Sequence, residues 1–148
     1  MHRPIFTSLL VALSTISFAQ TFTYAPVNIS GAVATEARGI NNSGEVVGFY
    51  YTSTSCVEPA GEVQFPNCNI QGFKMVNGTV TKLMVPNSIG TAILGVNEYG
   101  DLVGFCITSD VYSHGFLWLH TNVVNLLNAP LGGPNSDEHT VAFGVNKL

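Results

Sequence analysis

Gly39-Ile40-Asn41-Asn42-Ser43-Gly44-Glu45-Val46-Val47-Gly48-Phe49 returns as Gly95-Val96-Asn97-Glu98-Tyr99-Gly100-Asp101-Leu102-Val103-Gly104-Phe105, and begins again as Gly144-Val145-Asn146. A segment that recurs at such spacing is the mark of a repeat architecture. Its chemistry is that of a hairpin. Asn41 opens a turn and Gly44 closes it, the glycine taking a positive φ that a Cβ would oppose; Asn97 and Gly100 do the same in the second copy. Val46, Val47 and Phe49 then supply a return strand. Gly48 within that strand implies a bulge or close packing against another backbone.

A second hairpin follows each first one. Gln71 to Val76 meets Thr79 to Val85 across Asn77-Gly78, a strong short-range hairpin signal between alternating strands. In the second copy His114 to Leu119 meets Val123 to Leu127 across His120-Thr121-Asn122. The outgoing strands end on Pro86 and Pro130. Thr21-Phe22-Thr23-Tyr24-Ala25-Pro26-Val27 suits a half-buried strand stopped by Pro26, the last strand of a preceding unit. Four short strands per period of about 40–50 residues is the spacing of propeller blades. The expected fold is therefore all-β: four-stranded antiparallel propeller-like repeats, incomplete or open, about two and a half units. Repeat one spans about 36–86, repeat two about 92–130 and a partial third 141–148.

Composition bounds the rest. The chain has 148 residues, enough for one ordinary domain. Charged residues make up 9%, against a usual share of about 25%. The net charge is −4, and Arg3, Arg38, Lys74, Lys82 and Lys147 are the basic residues, too few for phosphate contacts, so nucleic acid is not an expected partner. Met1-His2-Arg3 followed by the apolar run Pro4 to Phe18 reads as a signal peptide over residues 1–19, with cleavage before Gln20. The run is short for a membrane span. A secreted product, extracellular or periplasmic, without a membrane segment after cleavage is expected.

The Gly-Ile/Val-Asn-x-x-Gly-x-x-Val-Gly hairpin paired with His114-Gly115-Phe116-Leu117-Trp118 resembles the HAF-type extracellular repeat proteins of bacteria, over about residues 36–148. The family's His-Ala-Phe triplet is His114-Gly115-Phe116 here and Gln71-Gly72-Phe73 in the first copy. The resemblance implies a secreted propeller-like repeat protein with no common activity. Two and a half units fall short of a closed ring of four to eight blades. Either the chain is a truncated piece of a longer array, or it is an open stack that self-associates through its sheet edges.

Candidate chemistry is sparse. Cys56 and Cys68 bracket a loop and are expected to form a disulfide in an exported protein. Cys106 occupies the place of Tyr50 in the first copy and reads as a buried apolar residue rather than a nucleophile. His114, His120 and His139 with Asp137 and Glu138 match no metal-ligand spacing, and His114 is expected beside Trp118 or on a backbone group. Asn41 to Glu45 carries a single carboxylate, too few for a calcium loop. Neither metal nor cofactor is expected. Tyr50, Tyr51, Tyr112 and Trp118 are possible ligand-contacting aromatics, although core packing competes for them. The expected role is non-catalytic: structure, or binding of a glycan or envelope protein. The alternatives are a glycan hydrolase or lyase on a propeller scaffold, and a fragment without independent function.

Overall fold

The computed structural model describes residues 24–53, 69–128 and 139–146. The signal-peptide segment, Thr21 to Thr23, Cys56, Cys68, Asp137, Glu138 and Pro130 lie outside the described residues. Eight strands follow in order: β1 Ala34–Ile40, β2 Val46–Tyr51, β3 Ile70–Val76, β4 Thr79–Leu83, β5 Gly90–Val96, β6 Leu102–Ile107, β7 Ser113–Trp118 and β8 Val124–Leu127. They form two four-stranded sheets, each in simple meander order and antiparallel throughout. Among the described residues every regular element is a strand. The fold is all-β.

The two sheets are copies in register as well as in order. Ala37 pairs with Gly48 and Ile93 with Gly104, and each first strand then bulges by one residue, at Arg38 and at Leu94. A bulge leaves one residue unpaired and turns the strand more sharply. Close approach explains the glycines opposite. A Cβ on Gly48 would lie 1.9 Å from the carbonyl oxygen of Glu36, and one on Gly104 would lie 1.9 Å from that of Ala92. The tip of the second hairpin also follows its residues: Asn77 at φ 50° and Gly78 at φ 78° give the left-handed pair that a two-residue hairpin requires.

Strand alternation sends successive side chains to opposite faces, and both faces of the first sheet are covered. Val47, Phe49 and Tyr51 face the second sheet, against β5. Val47, Val85, Ile93, Leu102, Cys106 and Phe116 make one buried cluster there; Phe49, Tyr51, Ile70 and Ala92 make another. Each fully buried large apolar side chain contributes about 1.5–3 kcal/mol. The opposite face holds Tyr50 and Phe73 under Ile29, flanked by Val27 and Ala32.

That cover corrects one expectation. Tyr24 to Val27 forms no strand, and Tyr24 is 95% exposed. Pro26 brings no N–H, and a strand needs a neighbour to pair with. The packing is done instead by a turn in which the Ala32 N–H donates to the Ile29 carbonyl (3.1 Å). The same turn recurs between the sheets, where the Ser88 N–H donates to the Val85 carbonyl (3.1 Å). Val33 and Ile89 then donate to Tyr51 and Ile107 at 2.8 and 2.7 Å. Ile29 thus stands to the first sheet as Val85 stands to the second.

Residues 139–146 lie across the far side of the second sheet. The Thr140 N–H donates to the Ser113 carbonyl (2.7 Å) and that of Ala142 to the Gly104 carbonyl (3.2 Å). A Cβ on Gly39 would come 3.3 Å from the Gly95 Cα, and one on Gly95 would come 3.6 Å from the Gly144 Cα. The third copy of the motif therefore sits on the second sheet much as the second copy sits on the first.

Candidate functional site

The recurring turn is the best-defined polar assembly in the molecule. Asn41 accepts the Glu45 N–H on Oδ1 (3.0 Å) and donates from Nδ2 to the Glu45 carboxylate (2.8 Å). The same Nδ2 donates to the main-chain carbonyl of Asn97 (3.0 Å). In the second copy Asn97 Oδ1 accepts the N–H groups of Tyr99 and Asp101, each at 2.9 Å. Asn97 Nδ2 donates to Asp101 (2.8 Å) and to the carbonyl of Asn146 (3.3 Å). The glycines close the turns at φ 78° for Gly44 and 83° for Gly100. Asn41, Gly44, Asn97 and Gly100 do form the turns that the sequence implies. Their amides also join each repeat to the next, which turn chemistry alone does not reveal.

The acids at the ends of these turns are committed too. Glu45 takes an ion pair from Lys74 (3.3 Å). Asp101 accepts the His120 N–H (2.8 Å) and faces His120 Nδ1 at 2.7 Å. The backbone bond from His120, its side-chain bond and the Asn97 amide hold the Asp101 carboxyl below its ordinary value, against the opposing effect of burial.

A cleft of about 140 Å³ with a mixed polar and apolar lining opens where the two turns meet. Glu45, Lys74, Tyr99, Trp118, His120 and Asn122 line it together with Leu83, Leu102 and Leu119. The Tyr99 and His120 rings lie 6.2 Å apart and 35° from parallel. Trp118 packs one side on the buried cluster below.

An apolar groove of about 490 Å³ runs on the side of β1 and β5. Phe49, Tyr51, Ile70, Leu94, Phe105, Val141 and Phe143 line it, with Glu36 and Arg38 at its wall. Arg38 pairs with Glu36 and lies 5.4 Å from the centre of the Phe49 ring. Phe49 and Tyr51 meet edge to face at 5.6 Å. Burial pushes the Tyr51 phenol up, and the adjacent Glu36 carboxylate adds to the rise. Arg38, Leu94 and Phe143 occupy the same place in successive copies, so the groove is lined at equivalent positions by residues of different chemistry.

The four aromatics singled out from sequence are not gathered on one surface. Tyr50 is fully buried, and its hydroxyl is satisfied by Gln71, so it offers no face to a ligand. The reason is that both sides of β2 are covered. Tyr51 is 5% exposed, at the wall of the groove. Tyr112 meets the edge of His139 at 5.5 Å. Trp118 borders the cleft between the turns. The histidines are likewise dispersed. His114 bonds the side chains of Asp110 and Asn128, both at 3.0 Å, rather than Trp118 or a backbone group. His139 Nδ1 accepts the Ser113 N–H (3.1 Å). Among the described residues no three His, Cys, Asp or Glu groups converge in a way that could hold a metal. Cys106 is cross-strand from His114 yet fully buried, and burial pushes its thiol up, away from the thiolate. Sequence reasoning missed Glu45, Lys74, Tyr99 and Asn122 as cleft residues. The Glu45 and Asp101 equivalence was the available clue.

Comparison with protein-family models, curated proteins and solved structures finds no match to this chain.

Proposed function

We propose that this is an exported, non-catalytic repeat protein, propeller-like in the stacking of its sheets, whose role is to bind an extracellular or envelope glycan or protein. The observation that carries the reading is the use made of Glu45 and Asp101. They stand at equivalent positions of the repeat, and each holds the asparagine that reaches the next repeat. A general acid for glycoside cleavage needs a raised pKa, whereas the Asp101 carboxyl is held low by its hydrogen bonds. The resemblance to HAF-type repeats and the apolar start of the chain belong to the same reading.

The test is a panel of envelope and extracellular glycans and isolated envelope proteins, assayed for binding and for cleavage. Saturable binding without turnover is expected. Turnover that disappears on Glu45→Gln or Asp101→Asn in a folded protein would replace this reading with a glycan-active enzyme.

A further inference from the structure

We infer that the cleft between the two turns takes one ring of a neutral saccharide, seated against Trp118. This rests on the binding reading above and names its site and ligand class. Segments far apart in the chain build the cleft: the first turn gives Glu45, β3 gives Lys74, the second turn gives Tyr99, β7 gives Trp118, and the β7–β8 connection gives His120 and Asn122.

Charge selects the ligand class. Glu45 is paired with Lys74, and Asp101 is occupied by its hydrogen bonds with His120 and Asn97. Lys74, the cation lining the cleft, is already matched by Glu45, so no spare positive charge is left to draw an anion. The lining groups keep donors and acceptors with unused capacity. The Lys74 ammonium has three protons to give, the Glu45 carboxylate has further lone pairs, and the exposed Asn122 amide offers both kinds. Neutral vicinal hydroxyls, each both donor and acceptor, suit such a rim.

Shape and rigidity agree with this class. Trp118 backs onto the core, so its ring is held in place without ordering cost at binding. An aromatic face of this kind accepts the C–H side of a sugar ring while the hydroxyls turn to the polar rim. The volume of about 140 Å³ is below the range of about 300–1,000 Å³ usual for larger ligands, which limits the occupant to one ring, the end or a side branch of a glycan.

The chain has one tryptophan, so tryptophan fluorescence reports on Trp118 alone, at the wall of this cleft. The exported protein is screened on an array of neutral and anionic glycans, and each glycan that binds is titrated against Trp118 emission. A saturable change with a neutral glycan is expected. Asn122→Gly should weaken binding about fivefold, the effect of one lost hydrogen bond, with unfolding unchanged, because glycine accepts the backbone φ of 66° at that position. Binding that leaves Trp118 emission and the Asn122→Gly affinity untouched overturns the cleft while sparing the binding role. Binding of anionic glycans alone overturns the ligand class. An array without any bound glycan overturns the inference, and envelope-protein binding then decides the wider reading.

Discussion

The Asn41 side-chain amide donates to the main-chain carbonyl of Asn97, 56 positions along the chain, at 3.0 Å. Asn97 makes the equivalent reach to Asn146, 49 positions on, at 3.3 Å. One residue type thus closes its own turn and fastens its repeat to the next.

Replacing either asparagine should cost far more than a surface turn residue does. Asn97→Ala removes four hydrogen bonds, each worth about 1 kcal/mol net, and leaves the buried Asp101 short of a donor. A loss of about 3 kcal/mol in urea unfolding is expected, and a similar loss for Asn41→Ala. The double variant should cost close to the sum, because the two side chains share no partner and Asn97→Ala keeps the main-chain carbonyl that Asn41 bonds. Losses below about 1 kcal/mol for both single variants would remove the ladder from the account of stability.

Glycine positions should separate into two classes. At Gly48 and Gly104 the obstacle is a carbonyl oxygen 1.9 Å from any added Cβ. Backbone cannot yield as a flexible side chain can, so Gly48→Ala and Gly104→Ala should each cost about 3 kcal/mol or more. Gly44 and Gly78 have open space and positive φ of 78°. There alanine should cost only about 1–2 kcal/mol. Thermal unfolding of the four variants tests the ranking, and a reversed order would show the close approach to be unimportant.

Acid should weaken the fold through Asp101. Its carboxyl is held below the ordinary 3.8 by the His120 backbone and side-chain bonds and by Asn97. A group depressed on folding contributes stability that is complete above its unfolded value and is lost as pH falls through its folded value. The loss therefore belongs below pH 3.8. Asp110, held low chiefly by the Thr108 hydroxyl, acts with the same sign. Asp101→Asn should flatten the acid limb of stability against pH without abolishing it. An unchanged limb would mean that other carboxyls control acid unfolding.

Much of the fold was legible because its signals are local. Asn77-Gly78 declares its own turn, and Asn41 and Gly44 declare theirs. The period of the motif gave two sheets of four strands with their order. The burial of Tyr50 was not legible. Val46 to Tyr51 is apolar at nearly every position, so alternation cannot tell a strand covered on both faces from one with a face to spare. Tyr24 to Val27 is no strand for a related reason: residues of β-propensity still depend on a neighbour to pair with. The cleft escaped notice because Glu45, Lys74, Tyr99 and Asn122 lie far apart in the chain. Only the stacking of one repeat on the other brings them to one opening.

Thiol chemistry offers a further check. Cys106 is fully buried with its thiol pushed up by burial, so the folded protein should resist alkylation at neutral pH. Unfolded without reductant, it should take up one label, at Cys106, with Cys56 and Cys68 held in the expected disulfide. Three labels under those conditions would exclude the bridge.

The joint between repeats is asymmetric in a way that bears on how such chains change. Its donor is a particular side chain, but its acceptor is a main-chain carbonyl, which every amino acid carries. A unit copied along a gene brings this fastening with it, and for this bond it asks its new neighbour for no matching substitution. Duplication, loss or exchange of units can then run ahead of any tuning of the surfaces between them, leaving exposed positions such as those around the cleft free to diverge.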